Sequence, residues 1–137
     1  MKDKIFIDTN IFVYTQSSID VNKRDISINI IKNCNCYTST QVLNEVSNVM
    51  FKKLNMQASE IKQIITAINE NCRISIISYD MVQMTLDIKE RYGYSYYDSL
   101  ILVSALKSGC QKLFSEDMSD GQIIESTLKI INPFNEA

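Results

Sequence analysis

The 137-residue chain contains no histidine. Ser-His-Asp and Cys-His triads, zinc sites with imidazole ligands and an in-chain histidine base are therefore excluded. Any catalysis must come from carboxylates, hydroxyls, Lys, Tyr, Cys or a metal held by oxygen. Glycine and proline are scarce, at three and one, which leaves no room for a long flexible linker. No apolar run approaches the ~20 residues that span a bilayer, and the N-terminus runs straight into "KIFIDTN" without a secretory signal. A cytoplasmic protein with no membrane partner is expected. Cysteine is present but sparse: Cys34, Cys36, Cys72 and Cys110 are scattered, and Cys-x-Cys matches no common zinc spacing. These read as reduced thiols, mostly in the core.

What is present describes a folded globule, with 45% hydrophobic and 22% charged residues. The length suits one domain, residues 1–137, able to bury a core without disulfides or a structural metal. A net charge of -2 argues against indiscriminate nucleic-acid binding, although basic pairs such as Lys23-Arg24 and Lys52-Lys53 remain.

"KIFID", Lys4 to Asp8, favours a strand, and "TNIFVYTQ" continues as a helical turn that Thr9 or Asn10 can start. Residues 22–34 carry Ile26, Ile30 and Ile31 at helical spacing, and "CYTS" is a brief strand. From Thr40, Val42, Leu43, Val46, Val49, Met50 and Leu54 are expected to line one face of a helix. A further helix follows with Ser59 as its cap and Ile61, Ile64, Ile65 and Ile68 inward, then a strand, "RISIIS". "YDMVQMTLDIKERYG" is a helix with Met81, Met84 or Leu86, and Ile88 inward, stopped by Gly93. "YSYYDSLILVSAL" reads as an amphipathic helix ending near Ser108-Gly109, in which Ser95 and Asp98 can form a capping box. "KLFS" and "LKIIN" are strands flanking a polar turn, "EDMSDGQ". Strands alternating with helices predict an α/β fold with a parallel sheet, whose ligands gather at the carboxyl ends of the strands.

Taken singly, each acid has an ordinary explanation. Asp8 suits a helix N-cap, Glu45 the solvated edge of an apolar stripe, Asp98 the capping box, and Asp117 and Asp120 a turn. Jointly they form a pattern. Carboxylates converging on one sheet edge repel one another unless a cation sits among them. A histidine-free set of oxygen donors points to Mg²⁺ or Mn²⁺ and to phosphate chemistry.

"FIDTN", "STQVLNE" with Glu45, "YSYYDSLILVSAL" with Asp98 and "LFSEDMSDGQ" with Asp117 together resemble the successive motifs of PIN-domain ribonucleases, especially VapC-type toxins of bacterial toxin-antitoxin modules. The resemblance covers essentially the whole chain. It implies a three-layer α/β/α sandwich with a central parallel sheet and an Mg²⁺-dependent endoribonuclease that leaves a 5′-phosphate and a 3′-hydroxyl. Asp8, Glu45, Asp98 and Asp117 match the family's four acids. Of these, Asp8, Asp98 and Asp117 are the metal holders, and Glu45 positions or deprotonates the attacking water. Thr9, Asn10 and Ser115 match supporting positions, and Asp120 competes with Asp117 as the fourth acid. An RNA substrate, a cognate antitoxin that threads a basic side chain into the acidic pocket, and a homodimer follow as expected partners.

Two other readings use the same ingredients. An aspartyl-phosphate phosphatase, or a receiver-like domain, needs a second acid near the first, and position 10 is Asn. A scaffold or RNA-binding domain of the same fold would need no acids at all. Tyr92, Tyr94, Tyr96 and Tyr97 could stack on an unpaired base, but beside an apolar helix they read as core or dimer contacts.

Overall fold

The structure is a computed structural model and describes residues 2–135; Met1, Glu136 and Ala137, the ends of the expected 1–137 unit, lie outside the described residues. Its first strand, β1 (Lys4–Ile7), is the apolar run "KIFI", with Phe6 and Ile7 fully buried, as a strand covered on both faces requires. The chain continues through α1 (Thr9–Tyr14), α2 (Val21–Asn33), β2 (Asn35–Ser39), α3 (Thr40–Lys52), α4 (Ala58–Asn71) and β3 (Cys72–Ser75). Then follow α5 (Tyr79–Tyr92), α6 (Tyr96–Lys107), β4 (Lys112–Phe114), β5 (Ile123–Ile124) and β6 (Leu128–Ile131).

The strands form one sheet in the order β3-β2-β1-β4-β6-β5, parallel throughout except for β5. Phe6 pairs with Tyr37 on one side and Leu113 on the other. The chain winds outward from β1 to β3, then crosses back to place β4 on the other side of β1. That reversal opens a crevice beyond the carboxyl ends of β1 and β4. Helices flank the sheet, giving the expected three-layer arrangement: α1 packs on α2 and α3, α3 on α4, and α5 on α6, which in turn covers β2 and β4.

Local chemistry sets the helix ends. Asp20, Ser39, Ser78 and Ser95 cap α2, α3, α5 and α6 by accepting from backbone amides in the first turn. Gly93 adopts the left-handed conformation, φ 80°, and ends α5 as expected. In α5 Met81 and Ile88 are buried and Met84 is half-buried, whereas Leu86 is exposed, which settles the alternative left by its spacing.

Four expectations need correction. The cap of α4 is Gln57 rather than Ser59, because Gln57 and Glu60 form the reciprocal box, the Gln57 amide donating to Glu60 Oε1 at 3.0 Å. Only the Ser95 half of the α6 box forms: Ser95 Oγ accepts from the Asp98 amide at 3.2 Å. Helix α6 is also not amphipathic. Every residue from Ser99 to Ala105 is buried, since α5 covers one side and the sheet the other. Finally, the polar turn "EDMSDGQ" leads into the antiparallel strand β5, so the sheet is mixed at one edge. The β5–β6 turn is closed by the Thr127 amide donating to Ile124 O (3.1 Å), with Glu125 and Ser126 at φ 50° and 63°. Such turns ordinarily use Asn-Gly, so neither residue announced it.

The cysteines are free; Cys36, Cys72 and Cys110 are buried and Cys34 is half-buried. Among the described residues no helix is long and apolar enough to cross a membrane. Among the described residues two buried hydroxyls, on Ser27 and Ser99, have no hydrogen-bond partner. A buried unsatisfied polar group costs about 1–3 kcal/mol. Ser27→Ala and Ser99→Ala should therefore each raise stability, by about 1 kcal/mol in urea unfolding. A loss of stability in both would mean that the hydroxyls are satisfied.

Candidate active site

The first turn of α1 begins the site. Asp8 is its N-cap: Oδ1 accepts from the Thr9 amide at 2.6 Å, and Oδ2 accepts from the Ser115 hydroxyl, just beyond β4, at 2.8 Å. The cap role and the site role therefore coincide in one carboxylate, which is only 7% exposed. Thr9 Oγ1 donates to Glu45 Oε2 at 2.6 Å, and Gln41 Nε2 donates to Glu45 Oε1 at 3.2 Å from one turn earlier in α3. Asn10 Nδ2 donates to Asp117 Oδ2 at 2.5 Å. Asp98, half-buried, enters from the first turn of α6, where the helix dipole favours a carboxylate.

Asp8, Glu45, Asp98 and Asp117 all line one cleft of about 260 Å³, beyond the carboxyl ends of β1 and β4. Thr9 and Asn10 line it too, while Ser115 lies behind Asp8. Asp120 stands elsewhere: its Oδ1 accepts from the Asn132 amide (2.9 Å) and its Oδ2 from Asn135 Nδ2 (3.2 Å), fastening the C-terminal turn. Asp117 is the one of the two that lines the cleft. Val49, read from the sequence only as part of an apolar face, also lines it, as does Asn48, which went unremarked although it lies three residues beyond Glu45 on the same helix face. A separate groove of about 340 Å³, walled by Phe12, Ile31, Ile64 and Ile68, contains no acid.

The tyrosines bind the fold together. Tyr92 Oη donates to Glu125 Oε2 (2.8 Å), Tyr94 Oη donates to Gln122 Oε1 (2.5 Å) and accepts from the Ser119 amide (3.1 Å), and Tyr96 meets Tyr97 edge to face. Arg91 is paired with Glu125.

Burial raises the Asp8 pKa from 3.8 to about 6, with Asp98 and Glu45 adding repulsion, against hydrogen bonds from Ser115 and Thr9 that lower it. Asp98 is also raised, first by burial and further by Glu45 and Asp117, with Ser95 acting against them. The four acids thus feel one another's charge. A divalent cation would reverse that repulsion, and the donors offered are all oxygen, the type Mg²⁺ and Mn²⁺ prefer. Among the described residues no three His, Cys, Asp or Glu side chains stand close enough together to hold a metal ion by themselves. A cation here would therefore draw part of its coordination from water and substrate oxygens, as Mg²⁺ commonly does.

The fold and this cleft define a protein of the α/β class with an acidic site at the sheet's switch point. The chain belongs to the PIN domain family, whose model matches residues 5–119 and so includes all four cleft acids. Solved structures share the fold. A toxin-antitoxin complex from Klebsiella pneumoniae matches at 20% identity and a TM-score of 0.71, covering 94% of this chain and 97% of that one. Mycobacterium tuberculosis VapC20, described as a sarcin-ricin loop cleaving toxin, matches at 18% identity and a TM-score of 0.65, covering 82% and 91%. Rickettsia felis VapBC2, bound to a promoter DNA fragment, matches at 17% identity and a TM-score of 0.66, covering 94% and 99%. No curated protein matches the chain significantly by sequence.

The Asp8 shift has a definite sign. Its folded pKa lies above the ordinary value, so its contribution to stability is complete below about pH 4 and is lost as pH rises through about 6. A displacement from 3.8 to about 6 corresponds to about 3 kcal/mol. In EDTA, Asp8→Asn should therefore gain on the wild type in thermal unfolding between pH 4 and pH 7. Parallel pH profiles for the two proteins would contradict the stated electrostatics.

Proposed function

We propose that this protein is a divalent-metal-dependent endoribonuclease using Mg²⁺, with Mn²⁺ able to substitute, and that it is the toxin of a type II toxin-antitoxin pair. The observation that carries the reading is the meeting of four carboxylates from four separate segments in one histidine-free cleft. Asp8, Asp98 and Asp117 are the residues to hold the metal, directly or through water. When bound, Mg²⁺ would polarise water and offset charge on the phosphodiester.

The chain's own groups do the rest. Glu45 is oriented from two sides, by Thr9 and Gln41, and is the base that takes the proton from the attacking water. Asn10 orients Asp117, and Ser115 and Thr9 fix both oxygens of Asp8. Water attacks phosphorus, the P–O3′ bond breaks, and the 3′-oxygen leaves to gain a proton. The products are a 5′-phosphate and a 3′-hydroxyl, and the RNA 2′-OH takes no part.

The toxin reading is supported by the family and by the fold shared with one chain described as a toxin and with a toxin-antitoxin complex. In it the protein acts in the cytoplasm as a homodimer, and the antitoxin silences the cleft by placing a basic side chain among its acids.

The test is incubation of total bacterial RNA with the purified protein and Mg²⁺ or Mn²⁺, alongside EDTA controls and Asp98→Asn, with the ends mapped by sequencing. Discrete cuts bearing 5′-phosphates, absent in both controls, are expected. Glu45→Gln should lower kcat by about 100-fold or more, while Mn²⁺ still raises its melting temperature. If wild type and Asp98→Asn both bind RNA and neither cuts it, the protein is an RNA-binding module instead.

A further inference from the structure

Between Phe114 and Ile123 the chain has no regular structure, yet it must deliver Asp117 to the cleft. Within the described residues neither the Glu116 nor the Asp117 amide donates a hydrogen bond. Backbone bonds fasten the ends of the segment, from the Ser115 amide to Ile131 O at 3.0 Å and from the Gly121 amide to Ile130 O at 2.7 Å, so side chains must hold its middle. Met118 is buried and supplies one fixed point. Ser115 turns toward Asp8 and Asp117 toward Asn10, while Glu116 between them turns away from the cleft.

Glu116 meets a built receptor. Tyr14 Oη, from the last residue of α1, donates to Glu116 Oε1 at 2.5 Å, and Lys23 of α2 pairs with Glu116 Oε2. The Lys23 ammonium lies 5.1 Å from the Tyr14 ring centroid and 5.4 Å from that of Phe134, close enough for cation–π attraction to both. Those two rings pack edge to face at 5.3 Å. A solitary exposed Lys–Glu pair contributes little. Here the side chains are only 30% and 19% exposed, and a hydroxyl and two rings share the same two charges.

We propose that Lys23 and Glu116, enclosed by Tyr14 and Phe134, form a clamp that positions Asp117 in the acidic cleft. The catalytic consequence rests on the nuclease reading given above; the structural one does not. Lys23 and Glu116 are positioning residues, and neither lines the cleft.

Two readouts test the clamp. Backbone order parameters at 116–118, measured by ¹⁵N relaxation, should fall from about 0.85 to below about 0.6 in Lys23→Met and in Glu116→Gln, and stay high in Lys23→Arg. With RNA, the first two variants should lose about 10- to 100-fold in kcat at unchanged KM, since small displacements of a catalytic group cost that much, with Lys23→Arg recovering most of it. Order parameters unchanged in both variants would overturn the clamp. So would a raised KM at unchanged kcat, which would make the pair an RNA contact. Should the wild type cut no RNA, the nuclease reading falls, while the order parameters still decide the clamp.

Discussion

One side-chain hydrogen bond ties together the ends of the two paired strands on which the site depends. The Ser115 hydroxyl beyond β4 donates to the Asp8 carboxylate beyond β1, at the point where the sheet reverses its winding. Asp8 simultaneously starts α1 by accepting from Thr9, so the direction of the first helix, the spacing of two central strands and the aim of one acid are set together. Thr38 extends the arrangement to β2, its hydroxyl donating to the Ile7 carbonyl at 3.0 Å. Two of the other cleft acids are tied to this corner: Thr9 reaches Glu45, and Asn10 reaches Asp117.

The corner is held against electrostatic resistance. A carboxylate as buried as Asp8, with Glu45 and Asp98 nearby, is easier to fold when protonated, which is why its pKa moves up. The scaffold tolerates this because the surrounding core is dense, with Phe6, Ile7, Ile11, Phe12 and Leu113 fully or almost fully buried beneath the site. Position 10 makes the same point chemically. In a phosphatase-like site a second acid would stand there; here Asn10 supplies an amide hydrogen to Asp117, adding orientation without another negative charge.

Where periodicity and burial agreed, the sequence was informative. Val42, Val46 and Met50 face the core of α3, Ile61 and Ile68 that of α4, and Asp8, Glu45, Asp98 and Asp117 share a cleft although up to 109 positions separate them. What local pattern could not convey was set by tertiary surroundings. Helix α6 looks amphipathic because its serines break the apolar run, yet Ser99 and Ser104 are as buried as Leu102. Strand β5 is two residues long and enters its return to β6 through a turn without glycine, so the hairpin lacks its usual sign. Glu116 read as one more turn acid, since nothing within a few residues reveals Lys23 on α2, 93 positions away.

The two ends of the sheet carry a further consequence. An open strand edge is a template on which other chains can add strands and aggregate. Here β3 forms one edge with only four residues, one of them the exposed Arg73, and β5 forms the other with two. The antiparallel return of β5, turned tightly through Glu125 and Ser126, ends the sheet before a longer parallel edge can be presented. The fold thereby resists fibre-like association without devoting a helix or an extra domain to guarding its borders.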